Sequence, residues 1–353
     1  MKRGHHPYHH AQPGAGTTSS STMSSISSAL RLPSRRNAFL SAICAALICT
    51  GGSGCSNEAG NSGETGAPVP PPTIPAVVVS PEWVLENREE RGLVLVDVRS
   101  VEEFREGHLP GAIHLPEVNT VEPDTDPKKF FLARPEVILD FLGGAGLSTS
   151  TPIVIYGTDN DYRPAGRFFW IMEVHGYRNI CVMNGGPVAW EVAGGEIHQD
   201  TTTVPPISQD MNFKLMEERY ADKEEVIAAI EDETTILIDA RPKPQYLGEQ
   251  SIEGQARAGR IPSAESIPFH TLIEPVPGGS VTDGIGRLKP PADLRLVYKG
   301  VDDADNVIFY CNDGRASGLA YLALRSAGHK RVAVYDPSWW EWADTELPIE
   351  VGR

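Results

Sequence analysis

Cys311 occupies a position typical of a reactive nucleophile. An apolar run, Val307 to Tyr310, ends directly before it, and a helical pattern with Leu319 and Leu322 on one face begins soon after it. Free N–H groups and the dipole at a helix N-terminus stabilise negative charge. Such surroundings lower a cysteine pKa from about 8.5 into the range ~3.5–7.5. We therefore expect Cys311 to be an ionised thiolate.

The loop after Cys311 is predicted to bind an anion. Its residues are Asn312, Asp313, Gly314, Arg315 and Ala316. Consecutive backbone N–H groups in a turn can wrap an anion, and Arg315 adds a positive charge. The Asp313 carboxylate opposes a thiolate, so we expect its side chain to point outward. Ser317 is expected to cap the following helix.

Two other kinds of chemistry fit this sequence poorly. Phosphatases and arsenate reductases need an arginine six residues after the cysteine, and here Ser317 holds that place while Arg315 comes too early. No metal-ligand spacing, phosphate-binding glycine fingerprint or Ser-His-Asp arrangement stands out after the N-terminal segment. We expect neither a metal nor a cofactor.

The elements that position Cys311 belong to the second of two copies of one domain. Gly166, Gly176 and Trp190 each have an identical residue 152 positions later. Chance rarely holds one register across three anchors, so we infer a tandem repeat. Gly157 stands where the second copy has Cys311, and we expect the first copy to be a packing partner without a nucleophile.

The repeat defines the domain organisation. The first domain spans residues 76–200, a linker follows at 201–217, and the second domain spans 218–353. Runs rich in Val and Ile alternate with helix-period segments, which predicts an α/β fold with a parallel sheet flanked by helices in each domain. Ligands of such sheets collect at the carboxyl ends of strands. Asp239 and Arg241 fall at such an end, as Cys311 does.

The predicted elements of the second domain have the following limits. Strands are expected at Ile236–Asp239, Val307–Tyr310 and Val332–Val334, and helices at Lys223–Ile230, Pro291–Lys299 and Ser317–Ala327.

Residues 1–55 have the pattern of an export signal. Arginines precede an apolar stretch, Phe39 to Ile48, which is too short to span a bilayer. Small residues then lead to Cys55, as in a bacterial lipoprotein signal, so we expect cleavage and lipidation there. Residues 56–75 read as a flexible tether. The alternative is an ordinary signal peptide cleaved nearby.

Charge restricts the partners and the location. The chain of 353 residues carries a net charge of −16, although its first 54 residues hold basic side chains and no acidic ones. An acidic body repels nucleic acid and anionic lipid. We expect a monomeric, exported protein, periplasmic or on the cell surface, that meets the membrane through its lipid anchor only. An anionic substrate has to be met by clustered arginines.

Cys181 is the other cysteine of the two domains. In an oxidising compartment it could pair with Cys311. It lies in the apolar run NICVM, where burial is the ordinary explanation, so we expect both cysteines to be free.

Several segments carry a family resemblance. They are LIDARPKPQYLGE, GRIPSAESIPF, GRLKPPADLR, a six-residue loop that opens with cysteine, and YDPSWWEW. Together they resemble the tandem-domain rhodaneses, the thiosulfate/3-mercaptopyruvate sulfurtransferase family, over nearly all of residues 76–353. The resemblance implies a rhodanese fold in each domain, with an active second domain and an inactive first.

The resemblance also implies a double displacement. Cys311 takes the outer sulfur of a donor, becomes a persulfide and releases sulfite or pyruvate, and a thiol or cyanide then removes the sulfur. The loop N–H groups hold the persulfide, and Arg315 and Arg241 bind the anionic donor. For Arg241, a structural ion pair with Asp239 is the alternative.

The loop sequence favours thiosulfate as the donor. Cys-Asn-Asp-Gly-Arg-Ala differs from the Cys-Gly-Ser-Gly-Val-Thr of mercaptopyruvate enzymes and is closer to the Cys-Asn-x-Gly-Arg of periplasmic thiosulfate sulfurtransferases. Gln245 stands where tandem members often have a second substrate arginine, for which Lys243 or Arg257 could substitute. The alternatives are a 3-mercaptopyruvate sulfurtransferase and a persulfide carrier or binding module without turnover.

Overall fold

The buried Val- and Ile-rich runs of the sequence form the strands of two parallel sheets. The computed structural model describes residues 74–122, 131–200, 202, 204–207, 215–275, 286–301 and 305–353. The predicted leader with Cys55, nearly all of the tether and part of the 201–217 linker lie outside the described residues. None of the helices in the described ranges is both long and apolar enough to cross a membrane.

The first domain contains a five-stranded sheet. Its elements in chain order are β1 (Val78–Val79), α1 (Pro81–Asn87), β2 (Val94–Asp97), α2 (Val101–Glu106), β3 (Ile113–His114), a 3₁₀ helix (Glu117–Thr120), α3 (Pro135–Gly144), β4 (Ile153–Tyr156), α4 (Arg163–Val174), β5 (Ile180–Met183) and α5 (Pro187–Val192). The strand order is β1-β5-β4-β2-β3, and every pairing is parallel.

The second domain contains a four-stranded sheet. Its elements are a 3₁₀ helix (Glu217–Arg219), α6 (Lys223–Ala229), β6 (Thr235–Asp239), α7 (Lys243–Tyr246), β7 (Glu265–Ser266), a 3₁₀ helix (Phe269–Leu272), β8 (Ile273–Pro275), β9 (Gly286–Leu288), α8 (Pro291–Val297), β10 (Asn306–Tyr310), α9 (Arg315–Ser326), β11 (Val332–Val334) and α10 (Ser338–Ala343). The sheet order is β11-β10-β6-β7, all parallel, and β8 and β9 form a separate antiparallel pair.

These elements confirm the α/β fold with a helix-flanked parallel sheet in each domain. Asp222 opens α6 with a capping box, in which its carboxylate accepts the Glu225 N–H. The helix after Cys311 begins at Arg315, two residues earlier than predicted. Gly314 at its N-cap has φ +86, a left-handed conformation that few other residues adopt, and it turns the chain directly into the helix.

Helices α4 and α9, which are equivalent in the repeat, pack against each other and join the two domains. Their contact depends on the equivalent glycines Gly166 and Gly318. A Cβ atom on Gly166 would lie 2.6 Å from the Leu319 Cα, and one on Gly318 would lie 2.6 Å from the Arg167 Cα. Only glycine allows this approach, and apolar side chains of both helices then form one continuous core.

Candidate active site

Cys311 lies where β10 ends and the loop to α9 begins. Its backbone N–H donates to the Ser338 hydroxyl (3.1 Å), and its carbonyl accepts the Trp339 N–H (3.0 Å). These bonds attach the loop to the start of α10. The neighbouring Gly314 leaves no room for a side chain, because a Cβ atom there would clash with Arg167 and Asp336.

The sulfur of Cys311 has three kinds of polar neighbour. The Ser317 hydroxyl donates to Sγ over 3.5 Å. The backbone N–H groups of Asp313 and Ser317 also point at the sulfur. The Asp313 carboxylate lies 3.7 Å from it through Oδ1. The loop therefore contacts Sγ with both donors and an acceptor.

The predicted ionised thiolate is wrong for this structure. Cys311 is 1% exposed, and burial raises the pKa of its thiol. The negative charge of Asp313 raises the pKa further, while the bonds from Ser317 and the two N–H groups lower it without prevailing. Cys311 is therefore a protonated thiol at neutral pH.

The expectation that the Asp313 side chain points outward is also wrong. Its Oδ1 turns toward the sulfur and accepts the Arg315 N–H over 3.2 Å. That N–H lies in the first turn of α9, where the helix backbone offers it no acceptor, so the Asp313 carboxylate accepts its hydrogen bond. The negative charge of the carboxylate is also stabilised by the positive end of the helix dipole. Helix capping thus holds the acid beside Cys311.

Ser317 does not cap α9, contrary to the sequence-based expectation. Gly314 is the N-cap residue and has no side chain to make the cap bond, and the carboxylate of the preceding Asp313 accepts the first helical N–H instead. Ser317 lies in the first turn, fully buried, and its hydroxyl faces Cys311. The helix start at Arg315, rather than at Ser317, brings it there, and residue type alone gave no signal for this.

Asp239 and Arg241 form a buried ion pair. The Arg241 guanidinium donates twice to Asp239 and once to the Gly259 carbonyl (2.7 Å). Asp97 and Arg99 repeat this arrangement in the first domain, which lacks the cysteine. The geometry therefore favours the structural alternative.

Arg241 nevertheless lies near the reaction centre. Its guanidinium stacks on Trp339, 4.5 Å from the ring centroid. Burial lowers the Arg241 pKa, but the Asp239 carboxylate raises it overall, and the charge of a Cys311 thiolate adds to that rise. A direct contact with substrate stays a prediction, and it would require part of the ion pair to break.

Arg315 is paired with a residue of the first domain that sequence reasoning missed. Its Nε and Nη2 each lie 3.1 Å from Glu117 Oε2. Glu117 is 4% exposed, and burial raises its pKa in spite of the arginines around it. An anionic substrate that binds Arg315 has to share it with this carboxylate.

A second residue of the first domain, Arg167, holds the cysteine loop. It lies on α4, and its Nη1 donates to the Asp313 carbonyl (2.9 Å) and to Asp336 (2.5 Å). The other oxygen of Asp336 accepts the Leu132 N–H over 2.8 Å. The only sequence signal for Arg167 is a charge inside the apolar helix RFFWIM.

In the first domain, the loop that follows β4 has a glycine in place of the cysteine and a carboxylate that binds a helix start. Gly157 stands at the end of the strand, and Asp159 takes the N–H groups of Gly186, Val188 and Ala189 at the start of α5. These bonds leave the helix start occupied by the protein's own carboxylate.

The suggested substitutes for a second substrate arginine have other contacts. Gln245 accepts the side-chain N–H of Asn312 (2.9 Å), and Gln255 donates to the Asn312 side-chain oxygen Oδ1 (3.0 Å). Arg257 donates to backbone carbonyls in the last turn of α10 and after it, and Lys243 lies over the Tyr246 ring. Neither cation is directed at Cys311 by these bonds.

The two cysteines of the described residues, Cys181 and Cys311, are both free and buried. Within the same residues, no group of three or more His, Cys, Asp or Glu side chains is arranged to hold a metal ion.

Comparison with known proteins identifies the family. The model of the rhodanese-like domain matches residues 80–193 and 222–345. The chain is 29% identical to a putative thiosulfate sulfurtransferase of Synechococcus elongatus, covering 78% of this chain and 85% of the relative. It is 24% identical to the 3-mercaptopyruvate sulfurtransferase of Escherichia coli, covering 77% and 97%.

A solved structure supports the same assignment. The anaerobic ergothioneine biosynthesis enzyme of Chlorobium limicola superposes with a TM-score of 0.66 at 25% identity, over 78% of this chain and 70% of that one. The segments that the family model matches contain β2 to β5, β6 to β11 and the Cys311 loop. The chain therefore belongs to the rhodanese family and contains two rhodanese-like domains.

Proposed function

We propose that this protein is a sulfurtransferase that moves a sulfur atom from thiosulfate to a thiol or cyanide through a persulfide on Cys311. The observation that carries the proposal is the site of Cys311 in the second domain. Backbone N–H groups and the Ser317 hydroxyl point at its sulfur. The first domain has Gly157 at the equivalent strand end, and its Asp159 carboxylate accepts the N–H groups at the start of α5.

The first step begins with loss of the thiol proton. The Asp313 carboxylate, 3.7 Å from Sγ, is positioned to accept it. The thiolate attacks the outer sulfur of thiosulfate, so that a new S–S bond forms on Cys311 while the S–S bond of the donor breaks. Sulfite leaves with the electron pair of that bond.

The second step returns the enzyme to its starting form. A thiolate or the carbon of cyanide attacks the outer sulfur of the persulfide, and the S–S bond to Cys311 breaks. The product is a new persulfide or thiocyanate, and the released Cys311 thiolate takes back the proton from Asp313. The N–H groups that contact Sγ stabilise this thiolate during the displacement.

Thiosulfate is favoured over 3-mercaptopyruvate by the loop residues Asn312, Gly314 and Arg315. The relative in Escherichia coli carries the mercaptopyruvate name, so that keto acid is the second candidate. Thiocyanate formation by the purified chain, with each donor in turn and with cyanide as acceptor, separates the two. A higher kcat/KM with mercaptopyruvate would overturn the thiosulfate assignment.

The same assay distinguishes an enzyme from a carrier. Cys311→Ser is expected to abolish thiocyanate formation, and Cys181→Ser, the matched change of the other buried cysteine, is expected to retain it. A carrier would gain one sulfur atom on the peptide that contains Cys311, seen by mass spectrometry, without catalytic turnover. Equal turnover by Cys311→Ser and the wild type would refute the proposal.

We also propose that the protein is exported and anchored through a lipid on Cys55. The proposal depends on the leader pattern of residues 1–55 and the acidic body that follows. Labelling cells with a radioactive fatty acid tests it, with Cys55→Ser as the unlabelled control. Recovery of an unlabelled wild-type protein in the soluble periplasmic fraction would favour the ordinary signal peptide.

A further inference from the structure

Four arginines surround Cys311, and two of them are buried. The side chains of Arg167 and Arg241 are 0% and 2% exposed, and their carboxylate partners, Asp336 and Asp239, are buried with them. A dianion that enters from solvent has little access to these two guanidinium groups. Their charges instead hold the loop and act on Cys311 at a distance.

Arg163 and Arg315 are the more accessible pair. Their side chains are 37% and 29% exposed. Arg315 belongs to the cysteine loop, whereas Arg163 begins α4 of the first domain. Burial raises the pKa of Asp161, the partner of Arg163, but hydrogen bonds and charge from Arg163 lower it overall. The charge of Arg315 lowers the Asp161 pKa further. The two guanidinium groups therefore act on the same carboxylate from different domains.

The Arg163 guanidinium is fixed on one edge and open on the other. Its Nε and Nη2 each donate to Asp161 over 2.8 Å. Its plane lies over Phe269 of the second domain, 5.2 Å from the ring centroid. Within the described residues, its Nη1 makes no hydrogen bond to the protein. A rigid guanidinium with two free N–H groups suits a planar or tetrahedral oxyanion.

Arg163 lies beside the arginine that holds the cysteine loop. Arg167 follows it by four residues, one turn, on α4 and donates to the Asp313 carbonyl. Hydrogen bonds to the Asp161 carboxylate raise the Arg163 pKa, and the charges of Asp313 and of a Cys311 thiolate raise it further.

We propose that Arg163 binds the anionic end of the sulfur donor together with Arg315, so that the first domain contributes a residue to the substrate site. The inference rests on the proposed function, because it assigns the sulfonate of thiosulfate to these two groups. Arg163 does not touch the sulfur that is transferred. Its contribution is to the binding of the donor before the chemical step.

Steady-state kinetics with Arg163→Gln test the proposal. A charged hydrogen bond contributes ~1.5–3 kcal/mol, so the KM for thiosulfate should rise about tenfold or more, with kcat within about twofold of the wild type. Arg178→Gln is the matched control. Arg178 is an exposed arginine beyond the opposite end of α4, and its loss should leave the KM unchanged. Arg163→Lys keeps the charge but loses the two parallel N–H groups of the guanidinium, so its KM should lie between those of the wild type and Arg163→Gln.

Protection by sulfite gives a second readout without turnover. Sulfite, the anionic product, should slow alkylation of Cys311 in the wild type and in Arg178→Gln, and about tenfold more sulfite should be needed in Arg163→Gln. An unchanged KM or equal protection in Arg163→Gln would overturn the inference while leaving the sulfurtransferase activity in place. Loss of all Cys311-dependent turnover in the wild type would instead overturn the proposed function, and sulfite protection would still decide the role of Arg163. Thermal unfolding of each variant shows that the fold is retained.

Discussion

The two domains share a sheet and differ at the end of one strand. Both keep the Asp–Arg pair whose guanidinium also binds a glycine carbonyl, through Arg99 in the first domain and Arg241 in the second. The strands β4 and β10 are equivalent, yet one ends in Gly157 and the other in Cys311. The fold thus requires the ion pair, whereas the chemistry requires the loop.

The difference also shows what the first domain contributes. It has Gly157 in place of the cysteine, but Glu117 and Arg167 reach across the interface to Arg315 and Asp313. The cysteine loop is therefore held partly by side chains of the first domain.

The largest expected effect comes from moving the nucleophile between the domains. Cys311→Ser should lower sulfurtransferase kcat/KM by at least about 10³-fold, because the attacking atom is lost. Adding Gly157→Cys to that variant should restore nothing, since Ala165, the repeat equivalent of Ser317, offers no hydroxyl to a sulfur there. Thiocyanate formation measures both. Recovery of activity in the double variant would show that the two loops are interchangeable.

The next effect concerns the buried ion pair between the domains. Arg167→Met leaves Asp336 without its cation in a buried site and Glu117 with Arg315 alone, so the free energy of unfolding should fall by ~3–5 kcal/mol. Urea denaturation followed by tryptophan fluorescence measures it.

The pair Arg325–Glu173 is the matched control, since it also joins the two domains but is partly solvent-exposed, at 16% and 15%. Arg325→Met should cost less, ~1–3 kcal/mol. Equal losses in the two variants would contradict a special role for the buried pair.

A smaller effect is expected where the equivalent helices touch. Gly318→Ala places a methyl group against the Arg167 backbone, so the free energy of unfolding should fall by ~1–3 kcal/mol. Gly144→Ala is the control, because it closes α3 and a Cβ atom there meets nothing within 4 Å. It should stabilise the protein by ~0.4–1 kcal/mol. A gain in stability in both variants would show that close packing does not restrict Gly318.

The smallest effects are on the protonation of Cys311. Asp313→Asn removes a negative charge that raises the thiol pKa, so the midpoint of alkylation against pH should move to lower pH. Ser317→Ala removes a donor that favours the thiolate, so the midpoint should move to higher pH. Iodoacetamide kinetics across pH, with Cys181→Ser as background, give both midpoints. Shifts in the same direction would disprove this account of the site.

Local patterns predicted much of the fold. The strands β6, β10 and β11 and the helix α6 begin within one residue of their predicted positions, because apolar runs and the Asp222 cap are local signals. The α9 start was misplaced because Gly314 has a left-handed backbone that residue type does not reveal. Ser317 was assigned the wrong role for the same reason.

The sequence by itself determined the tandem repeat, the parallel sheets and the location of Cys311 at the end of a strand. These depend on periodicity and on spacing along the chain. Tertiary structure decided whether the thiol is ionised, which arginines stay open to solvent and which residues of the first domain reach the site. Those properties depend on burial and on partners more than a hundred residues away, such as Glu117 for Arg315, and no local pattern records them.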